Sequence, residues 1–263
     1  MKASWNGYLS LGKLTLPVRL YSATRSVTPH FIQMHAADHS PISRVAKCKI
    51  EGKEIDTDEI IRAVKRDGKY IEITDGDLKS AQPNAQNVTV RQFSDPQAIH
   101  PMYYEKPYYI VPDKGGELLY TLLREAFVRT NKVAIVDYVL YEKEHIGIVS
   151  THGGMLMLQQ LRFASEIIPR AEIKTPSLPQ PTPTQVDMAS QLMDRYSARF
   201  YVEDHRNEQV EAIEEMIDRK TKGLPAKRQK SISLQTTPDT QVTDVLKTLL
   251  KAQAPQTLID SAG

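Results

Sequence analysis

The sequence contains a single cysteine, Cys48, among its 263 residues. One cysteine cannot form a disulfide within the chain, so a disulfide-stabilised secreted scaffold is excluded and the reducing cytoplasm is the expected location. No apolar run approaches the roughly 18 residues that span a membrane, so we expect no membrane partner. The first 20 residues alternate polar and apolar side chains, unlike a secretory signal peptide.

The sequence also lacks the short motifs of common catalytic sites. Gly115-Gly116 does not have the spacing of a phosphate-binding loop, and neither HExxH nor GxSxG occurs. No pair of carboxylates is spaced as a two-metal nuclease needs. We therefore predict no enzyme activity, no catalytic residue and no cofactor.

Charge is weak overall but strongly segregated along the chain. The net charge is only +2, yet residues 1–50 carry seven Lys/Arg against one acid, Asp38. Residues 187–218 carry nine Asp/Glu against three Arg, and residues 219–230 are again strongly basic. Such blocks let one surface attract phosphates while another faces a protein partner.

The first two-thirds of the chain has the pattern of short strands. Leu14, Leu16, Val18 and Leu20 alternate with polar positions, a period of two that buries one face of a strand. Because Pro17 has no N–H to donate, we expect this strand at an edge or at a bulge. Further strands are predicted at 69–74, 87–93, 107–111, 132–141, 145–150 and 155–162, which indicates a mainly antiparallel barrel or sandwich.

Helices are predicted between and after these strands. The acids at 56–59 suit the start of a helix over 56–66. Residues 116–130 place Leu119, Leu122, Leu123, Ala126 and Phe127 on one face, with Asn131 as the stop. Thr184 and Asp187 predict the start of a later helix.

This pattern predicts five segments in the chain. They are a barrel core at 1–175, a proline-rich linker at 176–184, a helical arm at 185–222, a basic and polar linker at 223–239, and a short helix with a tail at 240–263. An insertion at about 40–80 interrupts the core. The last helix is too short to be stable alone, so it docks on the body or awaits a partner.

Residues 99–117, IHPMYYEKPYYIVPDKGGE, carry the most specific signal in the sequence. Together with the segments 7–12 and 16–24 before them, they closely resemble the bacterial Ku family. The resemblance continues in the same order downstream, through 122–126, 132–135, 143–145 and 161–164, and spans roughly residues 1–222.

The resemblance implies a Ku-type antiparallel β-barrel, mainly β with α, with a bridge insertion and a helical C-terminal arm. It implies a homodimer that forms a ring on double-stranded DNA ends, acts in non-homologous end joining near the nucleoid, and recruits an ATP-dependent DNA ligase. We expect the dimer contacts on the barrel edge and the 184–222 helices, and the ligase on the region from about 184 onward. Basic side chains at and near the insertion are the expected DNA contacts: Arg25, Arg44, Lys47, Lys49, Lys53, Arg62, Lys65, Arg66 and Lys69.

A metal site is considered at His35, His39 and Cys48. Many Ku relatives carry Cys-x-x-Cys-Gly here, but this chain has Glu51 at the second cysteine position. A lone thiolate beside a carboxylate is a poor zinc site, so we predict no structural metal.

Two other functions remain open from the sequence. A general nucleic-acid-binding barrel could grip single strands if the tyrosines at 103–109 were exposed among basic residues. Their alternation beside Pro107 favours a split between core and surface. A metal-dependent nuclease is the less favoured third possibility.

Overall fold

The alternating apolar residues of the N-terminal two-thirds build a closed β-barrel. A computed structural model describes residues 1–81, 87–225 and 237–252. These residues divide into two units, Met1–Ser26 with Ile32–Ile173, and Val27–Phe31 with the chain from Lys174 onward. The strands described are β1 Trp5–Leu11, β2 Leu14–Ser22, β3 Arg62–Arg66, β4 Lys69–Ile73, β5 Asn87–Ser94, β6 Tyr104–Pro112, β7 Val133–Leu140, β8 Lys143–His152 and β9 Met155–Leu161.

The barrel has the strand order β1-β2-β6-β9-β8-β7-β5. Neighbouring strands are antiparallel except where β5 closes the barrel by pairing parallel to β1, with Leu9 opposite Val88. The predicted mainly antiparallel barrel is therefore confirmed, with one parallel pair that the sequence pattern did not predict.

Strand β2 shows the predicted alternation but not the predicted edge position. Leu16, Val18 and Leu20 are almost fully buried, as a period of two requires. The strand nevertheless pairs on both sides, with β1 and β6. Pro17 is tolerated because the β6 ladder ends at Val18, so the missing N–H has no strand partner, and the Pro17 carbonyl accepts from the N–H of Asp113 at 2.8 Å.

One helix covers an end of the barrel. This helix is α2, Glu117–Thr130. The shorter helix α1, Asp75–Ala81, precedes it in the chain. Asn131 ends it in the left-handed conformation, as predicted. The buried face differs from the prediction, because Tyr120 and Phe127 are buried whereas Leu122 is 57% exposed.

α2 lies at the barrel end formed by the β1–β2 and β8–β9 turns. Leu119 and Leu123 line a cavity together with Leu11 and Leu14 of the first turn, and Arg124 reaches the carbonyl of Gly154 in the second. The insertion leaves β2 after Ser22, at the opposite end of that strand. The barrel therefore has a covered end and an end from which the insertion departs.

The insertion contains a β-hairpin where the sequence pattern suggested a helix. The prediction of a helix over 56–66 is wrong, since only a 3₁₀ turn at Thr57–Glu59 forms before β3 begins at Arg62. β3 and β4 are joined by Asp67-Gly68, both with positive φ, the two-residue turn that matches strand twist. This turn and the β-branched residues between 60 and 71 outweigh the acidic helix-start signal.

The second unit consists of α3 Pro183–Tyr196, α4 Glu208–Thr221 and α5 Val242–Lys251. α3 starts with Thr182 and Gln185 in a capping box, not with the predicted Thr184 and Asp187. α5 runs parallel to α3, since Gln185 Nε2 donates to Thr243 Oγ1 at 3.0 Å and Arg195 donates to the carbonyl of Leu250. The final helix thus packs on α3.

No helix of the described residues is long and apolar enough to cross a bilayer. Most of the predicted linker at 223–239 and the tail beyond residue 252 lie outside the described residues.

Candidate nucleic-acid interface

All nine predicted DNA-contacting side chains are exposed, and eight of them lie in the insertion, residues 32–81. Arg25 stands apart, in the irregular segment after β2. The eight fall into two groups that the fold separates: Arg44, Lys47, Lys49 and Lys53 in one turn region, and Arg62, Lys65, Arg66 and Lys69 on the β3–β4 hairpin.

The first group surrounds a tight turn, residues 47–54, which we call the Cys48 turn. Lys47 and Glu54 form an isolated bridge at its base, and the Cys48 N–H donates to the carbonyl of Lys53 at 2.8 Å. Gly52 has a positive φ of 68°, which lets the chain reverse. The reversal brings the backbones of Lys47, Lys49 and Lys53 together, so three ammonium groups are presented from one small loop.

The hairpin distributes its cations over two faces. Because neighbours in a strand point to opposite sides, Arg66 shares a face with Lys69, its partner across the turn, and Lys65 lies on the other face with Tyr70. The Lys65 ammonium lies 5.7 Å from the centroid of the Tyr70 ring. Arg62, at the base, is held at 2.9 Å by Asp75 and is therefore partly neutralised.

Acidic residues divide the two basic groups, which the sequence-based choice of cations did not take into account. Glu54, Asp56, Asp58 and Glu59 are exposed between them. Within the hairpin the turn residue Asp67 is acidic, and Glu72 and Asp75 follow at its base. The insertion is therefore not uniformly basic: its cations cluster in the Cys48 turn, which also carries Glu51 and Glu54, and at the hairpin tip.

The tyrosines beside Pro107 are split between core and surface, as their alternation predicted. Tyr108 is 2% exposed inside the barrel, where burial raises the pKa of its phenol, whereas Tyr109 lies on the outer side and is half-buried. Tyr103 packs on Val133 and Ile148 in a second small core outside the barrel. These side chains do not form the row of exposed rings that a single-strand platform needs.

The residues considered as metal ligands lie in two local turns: His35 and His39 share one, in which the His39 N–H donates to the His35 carbonyl at 2.9 Å, and Cys48 lies in the other. The carboxylate of Asp38 accepts from the Ser40 N–H at 3.0 Å, from the Ser40 hydroxyl at 2.9 Å, and contacts His35 Nδ1 at 2.9 Å, which together lower its pKa. Among the residues that the structure describes, no three His, Cys, Asp or Glu side chains come together as a metal site requires.

Cys48 should be alkylated at lower pH than an ordinary thiol. Hydrogen bonds from the backbone N–H groups of Glu51 and Ile50 lower the pKa of the Cys48 thiol. A lowered pKa keeps the reactive thiolate populated as the pH falls, so the pH midpoint of iodoacetamide labelling, followed by mass spectrometry, should lie below that of free cysteine. The same protein in denaturant, where these bonds are lost, is the control, and equal midpoints in both states would contradict this account.

Comparison with known proteins gives one family. Residues 10–188 match the family model described as the Ku70/Ku80 beta-barrel domain. The protein named non-homologous end joining protein Ku from Opitutus terrae is 30% identical over 223 residues, covering 84% of this chain and 80% of its own length. The protein of the same name from Solibacter usitatus is 32% identical over 221 residues, covering 83% and 82%. A third, from Archaeoglobus fulgidus, is 31% identical over 228 residues, covering 85% and 89%. Because this family model matches residues 10–188 and these relatives are 30–32% identical over more than four-fifths of the chain, this chain belongs to the Ku family.

Proposed function

We propose that two copies of this chain form a ring that binds double-stranded DNA ends without sequence preference and recruits an ATP-dependent DNA ligase during non-homologous end joining. Proteins of the Ku family bind DNA ends without catalysing a reaction. The relatives named above carry end joining in their names, which supports the same role here.

The observation that carries this proposal is the exposure of the insertion. Its eight predicted cations all point into solvent from a segment that leaves the barrel end opposite α2. Lysine and arginine that contact phosphates give position but no base preference. Affinity from such contacts falls by about 0.9 log units per neutralised phosphate for each decade of salt.

A second copy of the chain is supported by the apolar surface of the insertion. Side chains that a monomer would be expected to bury are at least 40% exposed there: Ile32, Met34, Ile42, Val45, Ile50, Ile60, Ile61, Val64, Tyr70, Ile71 and Leu78. Apolar surface on this scale marks an interaction site. Because the barrel is closed, it offers no free strand edge for the contact we expected there. The insertion and the 184–222 helices are the remaining surfaces for a two-fold dimer.

We propose that the ligase binds the helices from about residue 184 onward. α4 carries five exposed acids, Glu208, Glu211, Glu214, Glu215 and Asp218. Such a surface repels DNA and leaves the helix available to a protein partner.

The protein should form a stable complex with linear duplex DNA and none with covalently closed circular DNA. A ring can thread onto a duplex only at an end, so a gel-shift titration should show binding to a linear duplex, at least about tenfold weaker binding to the same duplex with both ends blocked, and no stable complex with covalently closed circles. Excess single-stranded DNA should not compete. Equal affinity for circles and linear duplex would overturn the ring.

The oligomeric state is measured separately. Light scattering should give twice the chain mass for the protein alone, and twice the chain mass plus the mass of the duplex for the complex with a short duplex. A monomer in both samples would exclude a ring made of two copies, whatever the gel shifts show.

A further inference from the structure

The connection between α3 and α4, residues 197–207, exposes aromatic rings for which a ring on DNA gives no role. We call this connection the Phe200 loop. Phe200 is 72% exposed, His205 is also exposed, and Tyr201 is half-buried. Aromatic side chains bury large areas in cores and interfaces and dominate their energetics. A ring left this open on a loop is therefore expected to be covered by a ligand.

A single helical turn brings Phe200 and His205 together. The 3₁₀ turn Val202–Asp204 reverses the chain, and the His205 N–H donates to the carbonyl of Val202 at 3.1 Å. The two ring centroids lie 5.0 Å apart, and the ring planes differ by only 27°. Because His205 covers one face of the Phe200 ring, the exposure of Phe200 comes from its other face. The loop thus presents one oriented ring face to solvent.

A second ring lies on the opposite side of the loop, beneath a cation. Tyr201 follows Phe200 in extended backbone, so their side chains point to opposite sides. The guanidinium carbon of Arg199 lies 5.2 Å from the centroid of the Tyr201 ring. Arg206, next to His205, is exposed as well. Phenylalanine, tyrosine, histidine and arginine are the side chains on which unpaired nucleobases stack, and this loop carries all four types.

The charge of the loop favours the bases of a nucleic acid over its backbone. Arg199 and Arg206 are balanced by Glu203 and Asp204, so with a neutral His205 the loop has no net charge. A surface that follows phosphates needs an excess of cations, which this loop lacks. The core of a protein–protein interface is depleted of charged residues, whereas the rings here lie among four. The surface therefore suits a flat, polar-edged ligand such as an unpaired base.

Resting on the proposed function, we propose that the Phe200 loop stacks unpaired bases of a single-stranded overhang at the DNA end that the ring has bound. One base lies on the open face of Phe200, and the pair of Arg199 and Tyr201 takes a second. The ring supplies the contacts to phosphates, and the loop adds a preference for ends that carry unpaired bases. Stacking of one or two bases is too weak to hold a free single strand, so single-stranded DNA still does not displace the ring.

Overhangs with and without bases test this role. The probe is a duplex closed by a hairpin at one end, whose open end is blunt or carries a short overhang of deoxyadenosines or of abasic sites. The protein should bind the adenine overhang at least about fivefold more tightly than the abasic one, the gain expected from one stacked base. This ratio should not change with salt, because stacking releases no counterions from phosphates. An iodouracil in the overhang should photocross-link to Phe200 or His205.

A double variant, Phe200→Ala with His205→Ala, should reduce the ratio to about one and leave binding to the blunt duplex unchanged. The conservative variant Phe200→Trp should keep the ratio, since it retains a ring face. The matched control is His30→Ala with Phe31→Ala, which removes the same two ring types from exposed positions outside the loop. It should keep the ratio.

Equal affinity of the unaltered protein for the adenine and abasic overhangs would overturn the stacking role while leaving the ring intact. If the double variant lost binding to the blunt duplex and light scattering gave the mass of one chain, a second copy would cover these rings, which would overturn it too. Failure of the unaltered protein to bind the blunt duplex would instead overturn the proposed function, and this inference with it.

Discussion

Replacing Lys47, Lys49 and Lys53 together by glutamine should weaken binding to a duplex end about 500-fold at 0.1 M salt. Each phosphate contact contributes about 0.9 log units per decade of salt, so three lost contacts remove about 2.7 log units one decade below 1 M. These three residues are brought together in the Cys48 turn by the hydrogen bond from the Cys48 N–H to the Lys53 carbonyl and by the bridge between Lys47 and Glu54. Their loss therefore removes one of the two concentrated basic surfaces.

Fluorescence anisotropy of a labelled duplex between 0.05 and 0.3 M salt measures this effect directly. The slope of log affinity against log salt should become shallower by about 2.7. The matched control replaces Lys13, Lys114 and Arg129 by glutamine, which removes the same charge from exposed positions near α2. It should keep nearly the full slope. If both triple variants lost the same slope, the protein would be attracting DNA through its net charge and not through the insertion.

The barrel could be predicted from the sequence because its strands bury one face in the core and turn the other face toward water. Leu16, Val18 and Leu20 show the period of two that only a half-buried strand satisfies. Periodicity did not predict the buried face of α2 correctly, because Tyr120 is buried there and Leu122 is exposed. A tyrosine can be buried when its hydroxyl finds partners, and those partners lie on strands far away in sequence.

The second strand of the hairpin was predicted at 69–74 and forms as β4, but β3 was missed because almost nothing in the hairpin is buried within one chain. With both faces exposed, apolar and polar residues carry no pattern that distinguishes a strand from a helix. The local signal that was available is Asp67-Gly68 between two short β-rich runs, and it was outweighed by the acids at 56–59.

For the candidate site, exposure of the cations could be predicted but not their partners. Arg62 meets Asp75, which lies 13 residues further along the chain and just after the hairpin, a contact that the pairing of β3 with β4 makes possible. The split of Tyr108 and Tyr109 followed from strand alternation, but the register shift in β6 between Tyr104 and Pro107 could not be predicted. Such shifts follow from tertiary pairing and leave no trace in the sequence alone.

Tyr120→Phe should lower the free energy of unfolding by about 2–4 kcal/mol. The Tyr120 hydroxyl donates to the carbonyl of Ile110 at 3.0 Å and accepts from the N–H of Leu156 at 2.9 Å. Ile110 and Leu156 are opposite each other on β6 and β9, and both are almost fully buried. Removing the oxygen leaves a buried acceptor and a buried donor, each costing about 1–3 kcal/mol when unpaired.

Thermal unfolding monitored by circular dichroism measures the loss, expected as a fall in Tm of roughly 5–15 °C for a domain of this size. Tyr141→Phe is the control, because Tyr141 is 66% exposed and its hydroxyl can be replaced by water. An unchanged Tm in the Tyr120 variant would mean that β6 and β9 close the gap and pair Ile110 with Leu156 directly. The hydroxyl would then be a substitute for a ladder bond and not a requirement for it, and apolar packing with the Arg124 contact to Gly154 would suffice to attach α2 to the barrel.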